Sequence, residues 1–280
     1  MTIQIVADSG CDIPLKLAWD KEINFTLIPL TLNVGEKSFL DDEKLNTMTM
    51  LNIFKETKGA SSTACPSPEA FAESFRLADA TFAVTMSSEL SGTYQSAVIA
   101  RDMVLAEFPD KKIHVINSLA VCSSETLIVM KLKELINDKN NNFETIEEKI
   151  EEYRKSLSLY FLIHSFESLI KAGRMSRISG MLATALSIFP ICGDNGEGKI
   201  KVYEKVRGTK TALSRMVQML GERAPTEGRK LVITHCNNEE NANIIKELAE
   251  KMYNFKDIFI FPMRGLSSFY AGDKGLIVSW

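Results

Sequence analysis

Histidine is scarce in this chain, and its three copies stand apart: His114, His164 and His235. None has a second histidine or a carboxylate at ligand spacing, so no metal is expected and each reads as a hydrogen-bonded structural side chain. The five cysteines (Cys11, Cys65, Cys122, Cys192 and Cys236) are odd in number, scattered and without a C-x-x-C pair. That excludes a zinc ribbon or a redox motif and makes reduced thiols the expectation. No run approaches the ~18 apolar residues of a membrane span. The first residues hold neither a basic nor a long apolar segment, so no signal peptide is expected. The chain therefore reads as cytoplasmic, without stable membrane insertion. A net charge of −3 leaves no basic footprint, and nucleic acid is not an expected partner.

Nucleotide and hydrolase signatures are missing as well. No G-x-G-x-x-G follows the first apolar run. Gly193-Asp194-Asn195-Gly196-Glu197-Gly198-Lys199-Ile200 nearly spells a P-loop. Ile200, however, stands where a hydroxyl should hold magnesium, and a strand follows where a helix should. It reads as a hairpin turn. No G-x-S-x-G elbow is present, which weakens a serine-hydrolase reading. No cofactor is expected.

What the sequence does hold is ordinary globular material, 45% apolar and 25% charged over 280 residues, enough for two domains. The first half alternates strand and helix patterns. Strands are expected at residues 3–7, 25–34 (broken by Pro29), 81–86 and 113–116, with an edge strand at 38–40. Helices are expected after Asp12-Ile13-Pro14 and at 47–57, 68–78, from about 91 to 108, 124–136 and 145–157. That succession predicts an α/β domain with a mainly parallel sheet over residues 1–157. The second half, 158–280, reads as an α+β domain with a mixed sheet. It has strands at 159–163, 199–206, 230–234, 258–261 and 276–280, a short helix at 168–176 closed by Gly173, and helices at 208–222 and 237–252. Residues 179–191 are almost wholly apolar and read as a core helix running into a strand.

In parallel sheets ligands bind beyond the carboxyl ends of strands. Asp8-Ser9, Ser87-Ser88-Glu89-Leu90-Ser91-Gly92-Thr93 and Asn117-Ser118 each follow an expected strand directly. A hydroxyl-rich stretch, Ser61-Ser62-Thr63-Ala64-Cys65-Pro66-Ser67, reads as a turn that can join them at the same rim. Helix N-termini there would suit an anion. Ser88 or Ser91 equally fits a plain N-cap. Arg174, Arg177, Lys205, Arg207, Lys210 and Arg215 form the chain's basic concentration, either a solvated face or a docking patch for an acidic partner.

Five motifs in order give the chain a family likeness. They are Ala7-Asp8-Ser9; Ser62-Thr63-Ala64-Cys65-Pro66-Ser67-Pro68; Ser87 through Ala97 with Ser-Gly-Thr-Tyr-Gln-Ser-Ala; Lys171-Ala172-Gly173-Arg174-Met175-Ser176; and Lys205-Val206-Arg207-Gly208-Thr209-Lys210-Thr211-Ala212. Along essentially its full length the chain resembles the DegV family of bacterial fatty-acid-binding proteins, with their EDD-type fold. The resemblance implies two α/β domains with one long-chain fatty acid, palmitate- or oleate-like, buried between them. It implies a carboxylate held at Thr63 and Ser91, with Gly92, Thr93, Ser118 and Tyr270 around it. It further implies a lipid carrier rather than an enzyme, with a fatty-acid kinase as partner and Arg174 and Arg207 as docking or head-group contacts. The apolar run from Met181 to Phe189 would then be tunnel wall. Three places depart from the family pattern. Ala64 and Cys65 replace a Ser and a Gln, Asn117 replaces an Asp, and Tyr270 stands where some members have a His. Two rival readings remain: an acyl-ester hydrolase or transferase with Ser91 as nucleophile, and a purely structural or regulatory interaction module.

Overall fold

The computed structural model describes residues 2–18, 23–175 and 188–280. β1 (Ile3–Asp8) leads through a short α1 (Leu15–Ala18) to β2 (Asn24–Ile28), after which Pro29 breaks the ladder. The chain continues as β3 (Thr31–Val34), β4 (Lys37–Leu40), α2 (Thr47–Glu56) and β5 (Ser61–Ala64). Alternation then resumes with α3 (Pro68–Phe75), β6 (Ala80–Thr85), α4 (Thr93–Glu107), β7 (Lys112–Asn117), α5 (Ser123–Asn137) and α6 (Phe143–Ser156).

β2, β1, β6 and β7 lie side by side in that order, all parallel. Strand periodicity sorts their apolar residues onto two covered faces, as a parallel sheet requires. Ile5, Ala7, Phe82 and Val84 pack against Ile128 and Leu132 of α5 and Ile146 and Ile150 of α6. Val6 and Ala83 pack against Phe71 and Phe75 of α3 and Ala97, Ala100 and Val104 of α4.

The stretch expected as a turn at 61–67 instead begins with β5. Its four residues complete a three-stranded antiparallel sheet, β4-β3-β5, with Thr63 opposite Leu32. The free edge of β3 supplies the backbone partners, so tertiary pairing overrides a turn-like composition. At the start of α4 the N-cap is Gly92, not Ser88 or Ser91 as expected, and the cap makes no side-chain hydrogen bond.

The second half supplies β8 (Leu159–Leu162), α7 (Glu167–Lys171), β9 (Ile188–Asp194), β10 (Ile200–Arg207), α8 (Thr209–Arg223), β11 (Lys230–His235), α9 (Glu239–Met252), β12 (Asp257–Pro262), α10 (Gly265–Ala271) and β13 (Leu276–Ser279). Six strands form a mixed sheet in the order β10-β9-β8-β13-β11-β12, parallel only between β11 and β12. The near-P-loop is the β9–β10 hairpin turn, as its failed spacing foretold. The apolar run 179–191, expected as a helix running into a strand, ends in β9, while 179–187 lies outside the described residues.

Alternation along β8 and β13 again divides two cores. Tyr160, Leu162, Leu276 and Val278 face α8 and α9, with Trp280 fully buried among them. Leu159, Phe161 and Ile277 face the other way, toward the three-stranded sheet, α2 and α10. The two halves also meet along α5, where Leu127 packs on Val232 and Phe261. At its start the Ser123 and Ser124 hydroxyls reach Ser279 Oγ at 2.7 and 2.8 Å.

Candidate functional site

The face of Leu159, Phe161 and Ile277 borders a cavity of about 910 Å³, mouth included. Its walls are apolar. Met86, Leu119, Val121, Leu169, Ile200 and Leu266 join the three strand residues. Residues from both halves therefore line one space.

Hydroxyl side chains interrupt that lining. Thr63, on β5, is half-buried, and its Oγ1 lies 2.9 Å from the Tyr270 hydroxyl on α10. Ser91 comes from the loop between β6 and α4. This loop is folded by its own backbone: the Leu90 and Ser91 N–H groups both donate to Ser87 O, at 3.0 and 3.1 Å. The Ser91 hydroxyl meets Thr93 Oγ1 at 2.8 Å and accepts from the Thr93 N–H at 3.3 Å. Thr63, Ser91, Tyr270 and Arg174 all line the cavity.

Other expected residues stand behind that lining. Thr93 is buried at the first turn of α4 and Gly92 caps it. Ser118 is buried, and its hydroxyl is occupied locally, donating to Ala120 O at 2.9 Å and accepting from Ala120 N–H at 3.1 Å. Arg207 is exposed at the end of β10, outside the cavity lining. Arg174 lines the cavity, but its guanidinium donates to the Leu90 and Ala172 carbonyls and so braces the Ser91 loop. The run from Met181 to Ser187 falls outside the described residues, and Phe189 packs toward the opposite core, away from the cavity.

Sequence reasoning missed several contributors. Leu119 and Cys122 line the cavity with non-glycine backbones at φ 51° and 55°. Such φ values are uncommon outside glycine, and nothing in the local composition signals them. Gly198, at φ 86°, brings the β9–β10 turn against the Ser91 loop, where Ser87 Oγ donates to Gly198 O at 2.9 Å. A Cβ at Gly198 would lie 2.3 Å from that hydroxyl oxygen. The turn residue Lys199 pairs with Glu89 at 3.2 Å.

Four carboxyls are buried without any signal of it in the sequence: Asp8, Asp12, Asp41 and Glu125, each 0–2% exposed. Asp8 accepts from the Gly10 and Met86 N–H groups at 2.7 and 2.8 Å. It thus ties the end of β1 to the residue that opens the Ser87 loop. Burial pushes its carboxyl up to about 6 and that of Asp12 up to about 7. Glu125 is raised well above the usual range by burial and by Asp8 and Asp12. Among the described residues no donor reaches either Glu125 oxygen. No His, Cys, Asp or Glu cluster suited to a metal occurs among the described residues.

A family model described as "Uncharacterised protein, DegV family" matches residues 2–280. The chain belongs to the DegV family. Three solved DegV-type structures are similar over their whole length. That of a Ruminococcus gnavus DegV protein, with vaccenic acid, has TM-score 0.93 at 32% identity and covers 100% of both chains. The Streptococcus pneumoniae Fatty Acid Kinase (Fak) B3 protein, loaded with linoleic acid, has TM-score 0.94 at 33% identity over 100% of this chain and 99% of its own. A Eubacterium eligens DegV protein loaded with heptadecanoic acid has TM-score 0.92 at 34% identity over 99% and 98%. Within this DegV chain, the two hydroxyls that the resemblance singled out, on Thr63 and Ser91, border the same cavity from different elements.

Proposed function

We propose that this chain is a carrier for one long-chain fatty acid, its tail in the apolar cavity and its carboxylate at the mouth. The observation that carries the reading is the cavity itself: a mainly apolar lining that includes the Thr63, Tyr270 and Ser91 side chains. Burying an acyl tail supplies about 0.8 kcal/mol per methylene, on the order of 10 kcal/mol gross for a palmitate-like chain. Association and ordering costs take back a large part. Affinity thus resides in the tail, and a few neutral donors suffice for the head. We place the division between the two domains at residues 157 and 158, the carrier in the cytoplasm, and a fatty-acid kinase as its partner. Gly92, Thr93 and Ser118 shape the head-group turns from behind the lining, while Arg174 and the exposed Arg207 serve the docking side.

Among the described residues no histidine lines the cavity, and its lysine, Lys199, is paired with Glu89. Hydrogen bonds to a charged group are worth about 1.5–3 kcal/mol each. Replacing both Thr63 and Ser91 by Ala is therefore expected to weaken binding of free palmitate at least tenfold while changing its methyl ester about twofold or less. Equal losses for acid and ester would remove the head group from these hydroxyls.

A further inference from the structure

Both ends of α10 are tied to the three-stranded sheet and its flanking loop. Asp41, the first residue after β4, accepts from Gly265 N–H at 2.9 Å through Oδ1 and from Leu266 N–H at 2.8 Å through Oδ2. Asp41 is itself held, its own N–H donating to Leu30 O at 2.9 Å. A Cβ on Gly265 would lie 2.5 Å from Asp41 Oδ1, so the carboxylate comes as close as glycine alone allows. Farther along, Phe269 packs on Phe54 of α2 with ring centroids 4.8 Å apart. The next residue, Tyr270, reaches Thr63 at 2.9 Å.

Leu266 and Tyr270 lie four residues apart, about 6 Å along a helix axis. Their two anchors sit on one frame: Leu40, beside Asp41, pairs with Thr31, and Thr31 pairs with Ala64, beside Thr63. A helix this short does not hold its own axis, and its first N–H groups have no partner within it. Asp12 grips the preceding N–H, that of Arg264, at 2.8 Å. It belongs to the loop after β1, however, and does not share the frame of Thr63.

We propose that Asp41 is a positioning residue for the head group: by gripping the start of α10 it fixes where the Tyr270 hydroxyl stands beside Thr63. The inference rests on the carrier reading. Without the grip, α10 keeps its Phe269–Phe54 contact but loses its axial register, and the Tyr270 hydroxyl leaves the mouth.

A double-mutant cycle tests this on the whole chain, with Asp41→Ala, Tyr270→Phe and both together, each titrated with palmitate and with methyl palmitate. Two interacting positions are non-additive in such a cycle, whereas independent ones multiply. Tyr270→Phe is expected to weaken the acid several-fold, Asp41→Ala about as much, and the double variant no further. The ester should change twofold or less throughout. Asp41→Asn, which keeps one acceptor oxygen, should fall between wild type and Asp41→Ala, and it replaces the latter in the cycle if the alanine variant does not fold. Losses that multiply, or an Asp41 effect equal on acid and ester, would overturn the proposal. So would a Tyr270→Phe variant that binds the acid as wild type does. A wild-type chain that takes up neither ligand would overturn the carrier reading, and this inference with it.

Discussion

Asp12 is buried among acids, and its carboxyl, pushed up to about 7, holds more protons in the fold than in the unfolded chain. Between its ordinary value of 3.8 and about 7, stability therefore declines as pH rises. One group contributes at most about 1.4 kcal/mol per pH unit. Asp8 adds the same sign up to about 6, whereas burial lowers His235 and gives the opposite sign in the weakly acidic range. Asp12→Asn keeps an acceptor for the Arg264 N–H and removes the titration. Urea unfolding across pH 4 to 7 should show a shallower decline in that variant, and an unchanged slope would contradict the assignment. None of this was legible beforehand. Asp8 and Asp12 stand in a stretch that reads as a turn and a helix start, and Glu125 occupies the first turn of a helix, where an acid is ordinary. Only packing from both halves removes them from water. Thr63 and Ser91 were legible because their motifs carry a family likeness, and Tyr270 because it departs from one.

Elements were read best where local pattern and tertiary partner agree. The alternation of strand and helix marked β1, β6, β7 and their helices, since each buries both faces of a parallel sheet. Residues 61–64 were misread because the edge that makes them a strand lies thirty residues away in sequence, on β3. The β9–β10 turn was read correctly, and it offers a test of how the two halves hold the mouth. Gly196 and Gly198 both have positive φ, 88° and 86°. An added Cβ meets nothing within 4 Å at Gly196, while at Gly198 it runs into Ser87 Oγ. Backbone strain of about 1 kcal/mol or more is common to both substitutions. Gly198→Ala should therefore cost at least about 1 kcal/mol more than Gly196→Ala in urea unfolding and should also weaken acid binding by displacing the Ser91 loop. Equal costs would mean that the turn does not brace that loop.

At the scale of the molecule, strands of the mixed sheet and the loops that follow the parallel strands line one apolar space together. The two fold classes were legible from pattern, but the strand order β10-β9-β8-β13-β11-β12 was not, because β13 enters the sheet between strands distant in sequence. The cavity was invisible for the same reason: its walls alternate along strands whose other faces are ordinary core. Relatives at 32–34% identity hold vaccenic, linoleic and heptadecanoic acids, so the fold admits tails of differing shape. Whether the cavity holds a lipid is decided by native mass spectrometry of the freshly purified chain, with extraction and identification of whatever accompanies it. One long-chain fatty acid per chain is expected, or its uptake when the apo chain is incubated with palmitate or oleate. A mass that remains that of the bare chain after both incubations would contradict it.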